Sequence, residues 1–140
     1  MPATQHTVFI IDDDASVRRS LGRVFTSAEL RWHAFASAEE FLASPLPVPG
    51  DCIVADMTMP RMSGLELQQH LRASGRWEFA MILLTANDTE EMRLAAREAS
   101  AAAFFRKPVD SQALLDAIAW ATQTRQPAGS SSPPPSTLNP

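Results

Sequence analysis

Cysteine, long apolar runs and excess positive charge are all scarce in this sequence. Cys52 is the one cysteine among 140 residues, so no internal disulfide can form, and a reducing compartment is the simpler expectation. Apolar runs such as residues 80–84 are far too short to cross a bilayer. The net charge of −4 provides no broad basic surface, which argues against nucleic acid or an anionic membrane as a direct partner.

The first residues lack the charged and apolar regions of a signal peptide, and we expect a cytoplasmic protein. Hydrophobic residues make up 45% of the chain and charged residues 20%, the mixture of an ordinary globular domain. A chain of this length buries roughly two-thirds of its unfolded surface, which is enough for one core. We expect an extension over residues 1–6, one domain over residues 7–124, and a disordered tail or linker rich in proline and serine over residues 125–140.

Short apolar segments recur along the chain and predict five strands. They occupy residues 8–11, 32–35, 52–55, 81–84 and 102–105, the second being the weakest. Because most of them are apolar at every position, they are typical of strands covered on both faces, as in a parallel sheet.

Helical patterns fill the intervals between these segments. They predict helices at residues 17–28, 37–42, 65–71, 88–100 and 111–124. The core-facing stripe of the first consists of Val17, Leu21, Val24 and Ala28. Ser37 with Glu40 forms a capping box, and Asp88 with Glu91 marks the start of the fourth helix. The alternation of strand and helix predicts an open α/β sheet with helices on both faces.

Reactive side chains follow four of the predicted strands, at the point where each strand ends. They are Asp12, Asp13, Asp14, Asp56, Thr85 and Lys107. In an open α/β sheet, ligands bind beyond the carboxyl ends of the strands. Carboxylate oxygens suit a hard cation such as Mg²⁺, and a carboxylate can also be the nucleophile that forms an aspartyl phosphate. A hydroxyl and an ammonium can then bind the phosphoryl oxygens.

Each of these residues has an ordinary alternative when taken alone. Asp14 is expected to cap a helix, Thr85 to be a strand-end residue, and Lys107 to be a solvated charge. Arg18 and Arg19 are expected on a solvated helix face. Four strand ends rarely supply one compatible set by accident, so the combination favours a phosphoryl-transfer site.

Four motifs make the sequence similar to a known family. They are Ile11-Asp12-Asp13-Asp14, Asp56-Met57-Thr58-Met59-Pro60-Arg61-Met62-Ser63-Gly64, Leu84-Thr85-Ala86 and Phe104-Phe105-Arg106-Lys107-Pro108. With them, the sequence over residues 7 to about 124 resembles the receiver domains of two-component response regulators. Residues 17–42 look especially like receivers of the nitrogen-fixation regulators, which usually carry a C-terminal helix-turn-helix DNA-binding domain.

The resemblance implies a flavodoxin-like, doubly wound sheet of five parallel strands in the order 2-1-3-4-5, with a metal and a phosphoryl site. It makes Asp56 the phosphoacceptor. Asp13 and Asp56 are implied to bind Mg²⁺ directly, together with the backbone carbonyl of Thr58, and Asp12 is implied to act mainly through water.

The remaining matched residues are implied to sense the phosphoryl group. Lys107 would contact one of its oxygens, and the bond from Lys107 to Pro108 would be cis. Thr85 and Phe104 would be the switch pair: Thr85 is drawn toward the phosphoryl group, and Phe104 then rotates into the interior.

The resemblance also implies the partners. A sensor histidine kinase or a small phosphodonor would supply the phosphoryl group to a signalling domain that is not an enzyme acting on other molecules. The fourth helix, fifth strand and fifth helix would form a switching face and a phosphorylation-promoted homodimer. This segment itself would contact neither nucleic acid nor membrane.

Two departures from the family pattern stand out. Ser100 occupies the position before the last strand where a glycine is common. Nothing after Arg125 resembles an output domain, which leaves a stand-alone receiver and the front part of a longer regulator both open.

Two other functions compete. A phosphatase of the haloacid-dehalogenase type would use Asp12, Asp14, Thr85 and Lys107, but it also needs an acidic pair after the lysine and leaves the motif that begins at Asp56 unexplained. A receiver-like module that is never phosphorylated would have no need of the complete acid, hydroxyl and lysine set.

Overall fold

The computed structural model of the chain describes residues 6–44, 51–75 and 79–124. The expected tail, most of the N-terminal extension and the loop at residues 45–50 lie outside the described residues. The strands are β1 (Thr7–Ile11), β2 (Arg31–Phe35), β3 (Cys52–Asp56), β4 (Ala80–Thr85) and β5 (Ala103–Arg106). The helices are α1 (Ala15–Ser27), α2 (Ala38–Ala43), α3 (Gly64–Ala73), α4 (Glu90–Glu98) and α5 (Ser111–Thr124).

The five strands form one parallel sheet in the order β2-β1-β3-β4-β5, which confirms the predicted fold class and strand order. Each crossover between strands is a helix, because parallel neighbours cannot be joined by a tight turn. None of the helices in the described ranges combines the length and apolar character required to cross a membrane.

Two cores lie on opposite faces of this sheet because successive strand side chains point to opposite sides. In β1, Phe9 and Ile11 join the core covered by α2 and α3, whereas Val8 and Ile10 join the core covered by α1 and α5. All residues of β3 and β4 are buried. The runs that are apolar at every position are therefore explained by helices on both faces.

The first and fourth helices differ in detail from their predictions. In α1 the deeply buried residues include Leu21 and Phe25, whereas Ala28 is exposed as the C-cap. The cap of α4 is Thr89, whose hydroxyl accepts a hydrogen bond from the backbone N–H of Met92. The prediction that Asp88 begins this helix was one residue early. Asp88 instead forms an ion pair with Arg93, in which Nε of Arg93 lies 2.9 Å from Oδ1 of Asp88.

Two helices end at a residue other than glycine in the left-handed region, Glu29 after α1 (φ 61°) and Ser100 after α4 (φ 63°). At the end of α4 the N–H of Ser100 donates to the carbonyl of Arg97, and the N–H of Ala101 donates to that of Ala96. This is the Schellman pattern, in which glycine is usual because it has no Cβ penalty. The departure at Ser100 therefore leaves the turn intact but strained.

A pair of side chains ties α3 to the end of α4. Gln68 and Arg72 donate to the same backbone carbonyl, that of Ala99, at 3.1 and 2.9 Å. A guanidinium is favourable there, because the C-terminal end of a helix carries partial negative charge. Of the residues in α4 itself, only Ala96 is buried, while Met92 and Ala95 pack partly buried against the core. The two bonds to the Ala99 carbonyl add a polar attachment to this packing.

Candidate functional site

The carboxyl ends of β1, β3 and β5 bring an ammonium group between two carboxylates. Lys107, the only lysine in the chain, donates to Asp12 Oδ2 at 2.8 Å and to Asp56 Oδ2 at 3.2 Å. Asp12 and Asp56 are 1% and 5% exposed. A single cation thus links three strands at the edge of the sheet where the sequence predicts that these residues converge, and the Lys107–Pro108 bond is cis.

Every polar atom of Asp12, in the backbone and in the side chain, takes part in a hydrogen bond. Its backbone N–H donates to the carbonyl of Phe35 at the end of β2 at 3.1 Å, and its Oδ1 accepts from the N–H of Asp14 at 2.9 Å. Its backbone carbonyl accepts from Nη1 of Arg18 at 2.6 Å. With Lys107 on Oδ2, the carboxylate has a fixed direction toward the rim.

Asp56 is positioned by hydrogen bonds from the loop that follows it and by packing against the start of α3. Its Oδ1 accepts from the backbone N–H of Thr58 at 3.0 Å and from the Thr58 hydroxyl at 3.4 Å. Gly64, the first residue of α3, packs directly on the strand end: a Cβ there would lie 2.5 Å from the backbone oxygen of Asp56. The glycine of the motif is therefore required by close approach of the helix to Asp56.

The predicted metal ligands Asp12, Asp13 and Asp56 come together. One carboxylate oxygen from each lies within 4.8 Å of the others, and Asp13 is the exposed member. Hard oxygen donors in partly hydrated surroundings suit Mg²⁺, which binds through a few carboxylates and keeps several waters. The donor set therefore fits a divalent cation of this type.

The electrostatics of the site reflect burial and pairing. Burial raises the pKa of Asp12, and the neighbouring Asp56 charge adds to this, while the hydrogen bonds from Lys107 and Asp14 oppose it. Burial alone would lower the pKa of Lys107, but the hydrogen bond and charge of Asp12, with those of Asp56, outweigh it and raise that pKa. Lys107 therefore stays charged at neutral pH.

The two residues of the predicted switch pair, Thr85 and Phe104, are both buried. Thr85 is fully buried, and its hydroxyl is engaged with its own loop: it donates to the carbonyl of Asn87 at 3.2 Å and accepts from the N–H of Asn87 at 3.0 Å. Its hydroxyl is not bonded to Asp56. Phe104 already lies in the core with 5% exposed, so an inward rotation of this ring is not available from the arrangement seen here.

Asp14 caps α1, as the sequence predicts. Its Oδ1 accepts from the backbone N–H and the hydroxyl of Ser16, both at 2.9 Å, and these hydrogen bonds lower the pKa of Asp14. Its Oδ1 is therefore engaged in capping rather than in the metal cluster. A phosphatase that used Asp12 as nucleophile with Asp14 as acid and base has less support from this geometry.

Sequence reasoning missed one member of the site. Arg18 is half-buried and bonds the carbonyl of Asp12, whereas its neighbour Arg19 is exposed. The prediction of a solvated face for the pair is therefore wrong for Arg18. The one available signal was its position in the second turn of the helix, from which a long side chain leans back toward the preceding loop.

Comparison with known proteins agrees with this geometry. The family model of the response regulator receiver domain matches residues 8–119. The chain belongs to this family. Response regulators of the family are phosphorylated by sensor kinases, and their receiver domains are signalling domains rather than classical enzymes.

Its relatives include regulators of nitrogen fixation and nodulation, which confirms the resemblance to that group. Nodulation protein W of Bradyrhizobium diazoefficiens is 38% identical over 121 residues, covering 86% of this chain and 53% of that protein. The transcriptional regulatory protein FixJ of Azorhizobium caulinodans is 38% identical over 111 residues, covering 79% and 52%. The receiver thus spans about half the length of the curated relatives it matches.

Solved structures give the same result. The response regulator StyR superimposes with a TM-score of 0.79 at 39% identity, covering 87% of this chain and 61% of that one. The crystal structure of FixJ-N superimposes with a TM-score of 0.78 at 32% identity, covering 86% and 95%.

Proposed function

We propose that this receiver accepts a phosphoryl group on Asp56 from a histidine of a sensor kinase, in a reaction that depends on Mg²⁺. The observation that carries the proposal is the convergence of Lys107 with the carboxylates of Asp12, Asp13 and Asp56 at one edge of the sheet. Asp56 is the member whose loop also supplies a backbone N–H and a hydroxyl, both from Thr58.

The transfer balances simply. A carboxylate oxygen of Asp56 forms a bond to phosphorus as the bond from phosphorus to the histidine nitrogen, or to the oxygen of acetyl phosphate, breaks. The electron pair leaves with the donor. Phosphoryl transfer needs mainly positioning and charge stabilisation, and the chain supplies both, because Lys107 lies 3.2 Å from Asp56 Oδ2.

Mg²⁺ would be held by Asp13 and Asp56 with the backbone carbonyl of Thr58, while Asp12 acts mainly through water. When bound, it offsets the charge of the carboxylates and of the incoming phosphoryl group. Three clustered carboxylates repel one another without it. We expect affinity in the millimolar range, on the order of −4 kcal/mol.

The switch in this proposal begins at Thr85. A phosphoryl group adds about −1.5 to −2 charges and three acceptor oxygens, which would draw the Thr85 hydroxyl away from Asn87. Because Phe104 is already buried, we propose that the change passes to α4 through the loop that Thr85 releases.

The output and partners are also part of the proposal. The changed surface of α4, β5 and α5 would favour a homodimer, and transcription would be controlled by an output domain, as the relatives that are transcriptional regulators suggest. The cytoplasm is the proposed location, which the single, buried Cys52 supports.

The test is phosphorylation by acetyl phosphate with mass-spectrometric mapping of the modified residue. Wild type should be labelled on Asp56 in the presence of Mg²⁺, and Asp56→Asn should not be labelled. Asp116→Asn, which alters an exposed carboxylate on α5, is the matched control and should label normally. Undiminished labelling of Asp56→Asn would overturn the proposal, and turnover that depends on Asp12 but not on Asp56 would favour the phosphatase.

The metal is tested separately by titrating Mg²⁺ without a phosphodonor and following amide NMR signals. Asp13→Asn removes one proposed ligand while sparing the buried pair with Lys107, so it should weaken binding sharply. Equal affinity in wild type and Asp13→Asn would contradict this assignment.

A further inference from the structure

Arg18 reaches from α1 back to the turn that carries the acidic residues. It is the fourth residue of the helix, and helical side chains lean toward the N-terminus. Its Nη1 lies 2.6 Å from the backbone oxygen of Asp12. A hydrogen bond from a charged donor is shorter and stronger than one between neutral groups, so this contact is a firm restraint.

Arg18 lies near the N-terminus of α1, where a positively charged side chain is unfavourable because of the helix dipole. The first turns of α1 carry the positive end of the helix dipole, and no acidic residue lies in its first turn. The acidic N-cap, Asp14, directs its Oδ1 to the N–H and hydroxyl of Ser16. A residue that breaks a local rule points to a compensating role nearby. The compensation here is the carbonyl of Asp12 and the group of carboxylates beside it.

The carbonyl that Arg18 holds belongs to the peptide bond between Asp12 and Asp13. Because the peptide group is planar, fixing its oxygen also fixes the N–H of Asp13 and the direction in which Asp13 leaves the strand. Asp12 has further restraints from Phe35 and Lys107, whereas Asp13 is exposed. The orientation of Asp13 therefore depends more on this peptide plane.

We propose that Arg18 is a positioning residue for the metal site: it holds the Asp12–Asp13 peptide so that the Asp13 carboxylate converges with those of Asp12 and Asp56. The inference rests on the proposed function, because it concerns the same Mg²⁺ site. Arg18 acts through the backbone and does not itself bind the ion.

The test is titration with Mg²⁺ alone, followed by amide NMR, for wild type, Arg18→Met, Arg18→Lys and the control Arg19→Met. Residues that orient metal ligands typically contribute about 10–100-fold in affinity, so Arg18→Met should raise the Kd about tenfold. Arg18→Lys keeps a charged donor and should recover part of the loss, and Arg19→Met should bind as wild type does.

A second measurement separates position from charge. Removing a cation near the site would by itself strengthen the binding of Mg²⁺, and salt would screen that effect. Weaker binding by Arg18→Met that persists in high salt is therefore the expected result. Equal or tighter binding would overturn the role of Arg18 as a positioning residue.

The controls distinguish the two levels of the proposal. If wild type binds no Mg²⁺ at millimolar concentrations, the proposed function fails. If wild type binds it and Arg18→Met binds equally well, only the role of Arg18 fails. Thermal unfolding establishes that each variant is folded, and Arg18→Gln replaces Arg18→Met if the latter does not fold.

Discussion

Replacing Gly64 by alanine tests whether α3 lies directly against the end of β3 at Asp56. The added Cβ would lie 2.5 Å from the backbone oxygen of Asp56, 3.1 Å from its carbonyl carbon and 3.1 Å from Cδ2 of Leu83. A close contact between carbon and carbonyl oxygen is about 3.3 Å, so helix and strand must separate by about 0.8 Å. The obstructing atoms are mostly backbone, which cannot rotate away.

The expected cost follows from that displacement. Overpacking of a filled interior costs about 1–3 kcal/mol, and for a domain of this size each kcal/mol lowers the melting temperature by roughly 3–6 °C. The shift also moves Asp56 relative to Lys107, and a misplacement of about 1 Å in a reacting geometry can cost on the order of 100-fold in rate. Gly64→Ala should therefore lose both stability and phosphorylation rate.

Gly22→Ala is the matched control. A Cβ at Gly22 would come equally close, 2.5 Å, but to the ring of Trp32, which is a side chain and not backbone. Moving this ring would strain the 2.9 Å bond from its Nε1 to the Thr26 hydroxyl. Alanine in a helix interior also gains about 1 kcal/mol over glycine, so Gly22→Ala should lose less stability than Gly64→Ala, and its labelling should be unchanged.

The assays are urea unfolding and the initial rate of labelling by acetyl phosphate. If Gly64→Ala matched wild type in both, the close approach of α3 to Asp56 would be refuted. If Gly22→Ala lost as much stability as Gly64→Ala, the distinction between backbone and side-chain obstruction would be wrong.

Three further predictions concern other features of the fold. Ser100→Gly relieves the left-handed strain after α4 and should stabilise the protein by about 1 kcal/mol in urea unfolding. Gln68→Met removes one of two donors to the Ala99 carbonyl and should cost about 0.5–1.5 kcal/mol. The pKa of Lys107, measured from the one lysine signal of protein labelled with ¹³C-lysine in buffer without metal, should lie above the ordinary value of about 10.4 and fall in Asp12→Asn. Since the folded pKa of Lys107 is the higher one, the stability from this ion pair should be complete from about pH 10.4 down to the acid range in which the carboxylates protonate. It should be lost as the pH rises through the folded pKa.

Each has a contrary outcome. Ser100→Ala keeps the strain, so a gain equal to that of Ser100→Gly would mean that the hydroxyl, and not the backbone, is unfavourable. No loss in Gln68→Met would mean that Arg72 alone satisfies the carbonyl. If the pKa of Lys107 were unchanged in Asp12→Asn, the 2.8 Å contact between Lys107 Nζ and Asp12 Oδ2 would not contribute to that pKa.

Much of the fold was predictable from apolar runs because a strand buried on both faces has no polar position to confuse the pattern. The strand order came from the family resemblance, since periodicity does not specify which strands are neighbours. The start of α4 was misjudged because Asp88 and Thr89 are both good caps, and only three-dimensional contacts decide between them. Ala28 was misassigned because helical periodicity continues past the residue where a Schellman turn ends the helix.

The candidate site was predictable where a residue ends its strand, as Asp56 does, or follows it directly, as Asp12 and Lys107 do. The orientation of the Thr85 hydroxyl was not, because it depends on a choice between rotamers that have similar local energy. The hydrogen bond from Arg18 to Asp12 was also not predictable from the sequence, because its acceptor is a backbone carbonyl, which every residue possesses.

The two hydrogen bonds of the Thr85 hydroxyl bear on how strongly a phosphoryl group would have to bind before the proposed switch responds. It gives one hydrogen bond to Asn87 and takes one in return, each worth roughly 0.5–1.5 kcal/mol net. A bond to an anionic phosphoryl oxygen is worth roughly 1.5–3 kcal/mol, only modestly more than the two together. Under the proposed role of Thr85, these two bonds would therefore set a threshold: an anion that binds weakly at this edge of the sheet would leave them intact, and only one held beside Lys107 would outweigh them. The low activity of the unphosphorylated receiver would then come from two ordinary hydrogen bonds within one loop.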